Sequence, residues 1–289
     1  MTSTRFDPAR FKATQRANWN AMSAGWLTWR EKFERGGTPV SERLLELGEV
    51  RPGHRVLDVG TGIGEPAVLL ANTVGEHGRV TALDLSEEMV EIARARSAAL
   101  GNVDVLRGDL ESLDLPAGAF DALISRWGLM FAVDHRAAFA EAARVLVPGG
   151  RLAASVWGPP ETAPMISRGF RVLAERLELP QPPPEEPSPY SMSDPAQVER
   201  ELRAAGFAEV SVTGFDAPFW LTGTDEYVEF YRTCSPPGLL TMIEKRFGSK
   251  DDPDTWAAIA ASVEPYRRPD GRIDLPSRTL LVRAVTPLS

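Results

Sequence analysis

Short runs of β-branched and apolar residues alternate with helical patterns along the middle of the chain. The runs are RVLDVG, RVTALDL, VDVLRGD, AFDALISRWG and GRLAASVW. Patterns with helical spacing separate them near Glu65–Val74, Glu87–Leu100 and Arg136–Leu146. This alternation is typical of parallel strands joined by crossover helices. It predicts an α/β fold in which VPGG, residues 147–150, ends the last of these helices and turns the chain into the next strand.

Further segments lie outside this alternation. The N-terminal segment Asp7–Leu47 has helical spacing and three tryptophans, and it predicts a helical cap within residues 1–50. The run LPQPPPEEPSP, Leu179–Pro189, is too rich in proline for a helix or a central strand. We therefore expect an extended loop there.

The last third of the chain adds two further strands. Val198–Phe207 predicts a helix that stops at Gly206, EVSVTGF predicts the strand after it, and SRTLLVRAV predicts the last strand. Seven strands are thus expected, most of them parallel, with helices on both faces of the sheet. Three helical patterns between the two late strands predict an inserted helical lid at about 222–264: Asp225–Thr233, Leu239–Phe247 and Asp254–Val263.

Composition and charge argue against several kinds of protein. The 289 residues are 43% hydrophobic and 25% charged, which is ordinary for a globular protein. A net charge of −8 and the lack of a Lys/Arg run argue against a nucleic-acid partner. No stretch reaches the roughly eighteen apolar residues of a membrane span, so a cytosolic protein is expected. One cysteine, Cys234, and three separated histidines predict no metal site.

One motif lies between the first predicted strand and the helix after it. In VLDVGTGIGE, Asp58 stands two positions before a glycine loop made of Gly60, Gly62 and Gly64. Glycines let the backbone approach a ligand closely, and the next helix directs its first N–H groups toward it. Asp84 ends the second strand, where a carboxylate can accept both hydroxyls of a ribose. Together these residues predict an adenosine-type cofactor.

A third strand end and one departure from the dinucleotide pattern narrow the choice of cofactor. Asp109, in GDLESLDLP, is expected to accept a hydrogen bond from an adenine amino group. An NAD-linked oxidoreductase would use the same sheet, but its GxGxxG fingerprint needs glycine where this chain has Glu65. Glu65 and Asp58 would also repel a pyrophosphate. A cofactor with a cationic sulfonium and an amino group suits the acidic loop better.

From Val56 to Trp157 the chain resembles the class I S-adenosylmethionine-dependent methyltransferases, of the type found in ubiquinone and menaquinone biosynthesis and in natural-product pathways. The segments VPGGRLAASVW and DGRIDLPSRTLLVRA also match that family. The resemblance implies a Rossmann-like fold and S-adenosylmethionine as the cofactor. We expect one domain, 1–289, with a cofactor-binding half at 51–157 and a substrate-side half at 158–289.

The same resemblance assigns roles to residues in four segments. It implies that VLDVGTGIG contacts the methionine portion of the cofactor, that Asp84 binds the ribose, and that Leu85 and Met89 flank the adenine. GDL would bind the adenine amino group, and SRWG would line the path to the methyl group. The implied cofactor-binding residues are Asp58, Gly60, Thr61, Gly62, Gly64, Asp84, Leu85, Met89, Gly108, Asp109, Leu110, Ser125, Arg126 and Trp127.

Few side chains are expected to take part in the chemistry itself, because methyl transfer chiefly needs alignment and the exclusion of water. Trp127 could stabilise the sulfonium by a cation–π contact, and it could equally be a core aromatic after the fourth strand. His135 is the candidate general base, although Asp134 before it is typical of an N-cap and favours a structural role. His54 and His77 are weaker candidates.

The acceptor is expected to be a small, largely apolar or aromatic molecule that is methylated on oxygen, carbon or nitrogen. A non-methylating reaction such as a cyclisation, a binding or regulatory module, and an NAD-linked oxidoreductase remain alternatives, and the oligomeric state is left open. Residues of the lid and cap, aromatic except for one methionine, could enclose the acceptor, but aromatic residues at helical spacing are more typical of a core. They are Phe219, Trp220, Tyr227, Phe230, Tyr231 and Met242, with Trp19, Trp26 and Trp29.

Overall fold

The computed structural model describes residues 6–183 and 185–288, and a seven-stranded sheet is its central element. The strands are β1 (Arg55–Val59), β2 (Arg79–Asp84), β3 (Val103–Arg107), β4 (Phe120–Arg126), β5 (Leu146–Trp157), β6 (Ala208–Leu221) and β7 (Ile273–Val285). Their order across the sheet is β3-β2-β1-β4-β5-β7-β6.

The pairing of the strands confirms the predicted mostly parallel sheet. Strand β1 pairs in parallel with β2 on one side and with β4 on the other, and β2–β3 and β4–β5 are also parallel. Strand β7 runs antiparallel to β5. Because neighbouring parallel strands end at the same edge, the carboxyl ends of β1 to β4 lie along one edge of the sheet.

Nine α-helices connect and extend the strands in the described part of the chain. They are α1 (Pro8–Leu47), α2 (Glu65–Val74), α3 (Glu87–Ser97), α4 (His135–Val145), α5 (Pro164–Arg176), α6 (Pro195–Ala204), α7 (Thr224–Cys234), α8 (Pro237–Phe247) and α9 (Pro253–Val263). The predicted helices in the alternating region are confirmed, with ends that differ from the prediction by at most three residues. Asp134 is the N-cap of α4, as expected, and its carboxylate accepts the backbone N–H groups of Arg136 and Ala137.

The central strands are nearly continuous apolar runs because both of their faces are covered. Val56 and Leu57 of β1 and Ile124 of β4 are completely buried, and so are Val80 of β2 and Leu152 of β5. Runs of this kind are typical of parallel sheets with helices on both faces. The sequence between Arg55 and Trp157 therefore specifies the five parallel strands and the helices that connect them.

The structure differs from the sequence prediction at the start of β5 and at α5, and β6 and β7 are longer than the strands predicted there. The residues of VPGG do not simply turn the chain: Leu146 already pairs with Phe120, and regular pairing resumes only at Ala122 and Arg151. The segment 147–150 is therefore an irregular excursion inside β5. In addition, helix α5 was not predicted, because a glycine in its middle and prolines before it obscure its helical pattern.

The described chain divides into two compact units. The sheet unit takes its residues from Pro39–Gly158, Pro187–Phe215 and Thr279–Ser289, and the helical unit from Met1–Thr38, Pro159–Glu186 and Asp216–Arg278. All of the implied cofactor-binding residues belong to the sheet unit. The predicted lid at about 222–264 belongs to the helical unit, and the division into cofactor and substrate halves stays a prediction.

Aromatic side chains from α1, β6 and α7 form the core of the helical unit. Trp29 and Tyr227 are completely buried, and Phe230 lies against both Trp26 and Trp29, with ring centroids 5.8 and 5.2 Å apart. Met242 is exposed. These contacts are those of a core, as the helical spacing suggested. No described helix combines the length and the apolar character that a membrane crossing needs.

Candidate functional site

The glycine loop joins β1 to α2 at the carboxyl edge of the sheet. The backbone N–H groups of Gly60 and Thr61 both donate to the carbonyl of Leu83, at 2.8 and 3.0 Å. Gly60, Gly62 and Gly64 have φ values of 70°, 55° and 86°, a left-handed conformation that favours glycine. The loop is thus held on β2 in a conformation that the three glycines make possible.

The loop also approaches the end of β4 very closely. A Cβ atom on Gly60 would lie 3.0 Å from the Cα atom of Gly128, and one on Gly128 would lie 2.9 Å from the Val59 carbonyl oxygen. The Ser125 hydroxyl is buried there and donates to that same oxygen at 2.8 Å. By contrast, a Cβ atom on Gly62 would meet nothing within 4 Å. The loop is therefore packed at Gly60 and open at Gly62, where a ligand can reach the backbone.

Asp58 lies beneath this loop as a buried carboxylate. The residue is completely buried, and neither carboxylate oxygen has a partner at hydrogen-bonding geometry. Burial raises the pKa of Asp58 to about 7, although the nearby Thr61 hydroxyl, the Arg126 guanidinium and the Ala67 N–H favour its charged form. A buried carboxylate without a partner is costly, so this position suits a ligand that brings a cation.

Asp84, at the end of β2, is fixed by the same loop. Its two carboxylate oxygens accept the backbone N–H groups of Gly62 at 2.8 Å and Ser86 at 2.9 Å. Desolvation raises the pKa of Asp84, and these N–H groups partly offset it. An ionised carboxylate has about four acceptor positions. Asp84 can therefore hold the loop and still accept the two hydroxyls of a ribose.

The residues implied to contact the adenine follow β2 and β3. Met89 is buried in the first turn of α3, and Leu85 before it is half-buried. Gly108 donates its N–H to the Asp84 carbonyl at 2.9 Å, which holds the end of β3 against that of β2. Asp109 and Leu110 after it are half-buried, and the Asp109 carboxylate accepts the Glu111 N–H at 3.0 Å. The structure thus brings these residues to the sheet edge where Asp84 lies.

Trp127, after β4, is held firmly by other residues of the sheet unit. Its ring stacks on Trp157 with centroids 4.4 Å apart, and its indole N–H donates to the Thr279 hydroxyl at 3.0 Å. The Arg126 guanidinium lies 5.3 Å from the ring centroid, and one of its nitrogens donates to the Ser41 hydroxyl. These contacts favour the core role that the sequence left open, and a cation–π contact with the sulfonium stays a prediction.

Trp127 also has a backbone conformation that the sequence did not reveal. Its φ value of 57° is left-handed, which is uncommon for a bulky residue and costs conformational energy. Its N–H donates to the Ser155 carbonyl at 2.9 Å. This bend leads directly into Gly128, the residue that contacts the glycine loop.

His135 lies at the start of α4 beside an acidic side chain of α6. Its Nδ1 atom is 3.4 Å from Oε2 of Glu201, and both side chains are mostly buried. This neighbour would orient the imidazole, and it is compatible with either a structural role or a base that acts through Nε2. The role of His135 as a base stays a prediction. His77, the weaker candidate, is exposed beside Glu76.

Sequence reasoning missed Arg96 of α3, which contacts the glycine loop. It donates to the Ile63 carbonyl at 2.6 Å and forms an ion pair with Glu65, the first residue of α2. The only signal in the sequence was the helical spacing of a basic residue, which does not identify the partner. The pair also corrects one argument above: Arg96 largely neutralises Glu65, so the case against a pyrophosphate rests on Asp58 and on the missing glycine.

The described residues contain no group of three or more His, Cys, Asp or Glu side chains placed to hold a metal ion. Cys234 is buried in the helical unit, where desolvation raises the pKa of its thiol well above its usual range.

Residues 57–154 match the family model described as a methyltransferase domain. The chain is 35% identical over 122 residues to the ubiquinone/menaquinone biosynthesis C-methyltransferase of Teredinibacter turnerae, covering 41% of this chain and 49% of that protein. It is 42% identical over 118 residues to an uncharacterized protein from a Streptomyces fradiae transposon, covering 41% of this chain and 33% of that protein. The chain thus spans half or less of the length of these relatives.

A solved structure has the same fold. The 4+2 cyclase SpnF superposes with a TM-score of 0.53 at 24% identity, covering 87% of this chain and 82% of that one. Residues 57–154 are thus similar to a methyltransferase domain, and the described chain has the fold of that solved structure. The match to the family model extends from β1 into β5, so it includes the glycine loop, the ends of β2 and β3, and the end of β4.

The residues of the methyltransferase domain fit S-adenosylmethionine, the cofactor of this family. The unpartnered carboxylate of Asp58 complements a cationic cofactor that carries an amino group. The open backbone at Gly62 would let the cofactor approach, and Asp84 would accept the hydroxyls of its ribose. Asp58 would disfavour a pyrophosphate at the same place, so the fit favours S-adenosylmethionine over NAD.

Proposed function

We propose that this protein transfers the methyl group of S-adenosylmethionine to a small, largely apolar or aromatic molecule. The observation that supports this most is the completely buried and unpartnered Asp58 under an open glycine loop, within a matched methyltransferase domain. A folded protein retains such a group at a cost in stability. A cationic cofactor that pairs with it would account for that cost.

The residues of the site would bind and align the cofactor. Asp58 and the backbone of Gly62 would hold the methionine portion, Asp84 the ribose hydroxyls, and Asp109 the adenine amino group. When bound, S-adenosylmethionine supplies a methyl group on a cationic sulfur that is open to in-line displacement. The close packing of Gly60 on Gly128 would keep the end of β4 in a fixed position and limit the access of water to the reacting centre.

The acceptor would be apolar or aromatic, and small. The negative net charge and the absence of a Lys/Arg run argue against nucleic acid. The Teredinibacter turnerae relative is a C-methyltransferase of ubiquinone and menaquinone biosynthesis, which supports an aromatic acceptor here. If the acceptor atom needs deprotonation, we propose that His135 acts as the base, with Glu201 orienting it.

Cofactor binding is tested by thermal-shift titration with S-adenosylmethionine, S-adenosylhomocysteine, NAD and NADP. A ligand at a hundredfold excess over its dissociation constant stabilises the fold by about 2.7 kcal/mol, or roughly a few degrees. We expect the two adenosyl amino-acid ligands alone to shift the wild type. Asp84→Asn should abolish the shift, because an amide oxygen cannot accept all the hydrogen bonds that the carboxylate accepts.

A matched control for this variant is Asp104→Asn. Asp104 is an exposed carboxylate near the start of β3 that pairs with Arg79 at 2.6 Å, away from the ends of the strands. Its substitution should leave both ligand-induced shifts intact. A shift with NAD or NADP and none with S-adenosylmethionine would instead establish the oxidoreductase.

The reaction is tested by incubating the protein and S-adenosylmethionine with a panel of hydroxylated quinones, phenols and aromatic amines. We expect S-adenosylhomocysteine to form together with a product heavier by one CH₂ unit, as seen by mass spectrometry. An isomeric product with intact cofactor would indicate a cyclase instead. Cofactor that binds but is never consumed across the panel would favour a binding or regulatory module.

A further inference from the structure

Arg96 contacts the glycine loop and the first residue of α2. It lies on α3, and its side chain is only 18% exposed. One guanidinium nitrogen donates to the Ile63 carbonyl at 2.6 Å, and another pairs with the Glu65 carboxylate. Ile63 lies between Gly62 and Gly64, so a single arginine contacts both the loop backbone and the first residue of α2.

The same helix packs tightly against the loop one turn earlier. A Cβ atom on Gly64 would lie 3.1 Å from Cβ and 3.2 Å from Cα of Ala93. Ala93 and Arg96 are three residues apart and therefore share one face of α3. Together they fix the end of the loop, whose middle is tied to Asp84 through the Gly62 N–H.

These contacts determine which part of the loop Arg96 controls. The Gly62 N–H faces the ribose carboxylate, whereas the carbonyl of the next residue is held by Arg96. Losing Arg96 would free that carbonyl and leave the Glu65 carboxylate without its partner beside the loop. The peptide between Ile63 and Gly64, which carries that carbonyl, could then rotate without any change in Asp84 itself.

We propose that Arg96 is a positioning residue that holds the glycine loop in the conformation that binds the amino-acid portion of the cofactor. This inference rests on the proposed function, because it takes the bound cofactor to be S-adenosylmethionine. It predicts that Arg96 affects ligands with an amino-acid portion and has little effect on ligands with the adenosine portion alone.

Isothermal titration calorimetry with two ligands tests this selectivity. S-adenosylhomocysteine carries the amino-acid portion, whereas 5′-methylthioadenosine lacks it. For Arg96→Met we expect the dissociation constant for S-adenosylhomocysteine to rise at least about tenfold. The dissociation constant for 5′-methylthioadenosine should change by less than about twofold, since Asp84 and the ends of β2 and β3 are untouched.

Arg94→Met is the matched control. Arg94 also lies on α3, donates to a carbonyl, that of Val105, and pairs with a carboxylate, that of Glu91, but it does not contact the loop. Its substitution should leave the dissociation constants of both ligands within about twofold of the wild type. If Arg96→Met does not fold, Arg96→Lys, which keeps the charge facing Glu65, should still weaken S-adenosylhomocysteine selectively.

The possible results separate the two proposals. An equal loss of both ligands in the Arg96 variants, or no loss of either, would overturn the role of Arg96 while leaving the proposed function in place. A wild-type protein that binds neither ligand would overturn the proposed function itself.

Discussion

The buried Asp58 of the sheet unit and the arginine-paired carboxylates of the helical unit lie in opposite electrostatic environments. In the sheet unit, Asp58 is completely buried without a hydrogen-bond partner, and burial raises its pKa to about 7. In the helical unit, burial alone would raise the pKa of Glu226, but the Thr222 N–H and the Arg35 guanidinium hold it below its usual value. Asp274 pairs with two arginines, and its pKa is lowered as well.

The difference shows which charges serve stability and which serve binding. A carboxylate whose pKa is lowered stabilises the folded state whenever it is ionised. A carboxylate whose pKa is raised destabilises the folded state on ionisation, so its retention calls for another reason. Glu226 and Asp274 thus contribute to stability, whereas Asp58 reduces stability at neutral pH and is available to a cationic ligand.

The largest effect is expected for Asp58→Asn, which changes binding and stability in opposite directions. Removing the charge should weaken S-adenosylhomocysteine binding at least about a hundredfold, because a buried ion pair with the ligand is lost. Because the pKa of Asp58 is about 7 when folded and 3.8 when unfolded, ionisation above pH 7 costs at most about 4 kcal/mol. The variant should therefore be more stable than the wild type at pH 8 in urea unfolding.

Asp121→Asn is a suitable control for this comparison. Asp121 accepts the Arg55 N–H at 2.7 Å at the opposite edge of the sheet, and its side chain is partly exposed. The control should bind the ligand normally and show no gain in stability. The assignment of Asp58 to binding rather than to stability fails if Asp58→Asn binds S-adenosylhomocysteine like the wild type and is less stable than the wild type at pH 8.

Most of the fold and the polar part of the site could be predicted from the sequence, because their signals are local. The glycine spacing around Gly62 permits left-handed backbone, and its place between a strand and a helix identifies the loop. Asp84 and Asp109 follow apolar runs, which places them at strand ends. Parallel pairing then brings these ends to one edge, so the site follows from the topology alone.

The remaining features depend on contacts between residues far apart in sequence. The ion pair of Arg96 with Glu65 joins two helices, and the hydrogen bond of Trp127 with Thr279 joins residues 152 positions apart. Neither partner can be read from a local pattern. The irregular start of β5 likewise follows from its pairing with Phe120, which overrides the turn tendency of Pro148.

The change in ligand affinity with pH is the prediction of intermediate size. A cationic ligand binds the ionised form of Asp58, whose pKa in the ligand-free protein is about 7. At a lower pH, Asp58 must therefore lose a proton when the ligand binds. The affinity for S-adenosylhomocysteine should therefore rise about tenfold per pH unit from pH 5.5 toward pH 7 and then level off. Calorimetry across this range measures it, with Asp58→Asn expected to show no such slope. A pH-independent wild type would show that Asp58 does not pair with the ligand.

The smallest effect is expected for Glu226→Gln in the helical unit. The amide can still accept the Thr222 N–H, which lies 2.8 Å from the carboxylate, but it loses the charge that faces Arg35 and Lys32. The loss should be about 1 kcal/mol at pH 7, since Glu226 is mostly buried and bonded to charged partners.

Its pH dependence should be the reverse of that of Asp58. Because the folded pKa of Glu226 lies below the unfolded value of 4.5, its stabilisation is present above pH 4.5 and is lost as the pH falls through the folded pKa. Urea unfolding of wild type and Glu226→Gln should therefore differ at pH 7 and converge in acid. Glu229→Gln, which removes a half-exposed partner of Lys32, should change the free energy of unfolding by no more than about 0.5 kcal/mol. If the difference in the free energy of unfolding between wild type and Glu226→Gln increased in acid, Glu226 would not be a stabilising carboxylate. The contrast with Asp58 would then be lost.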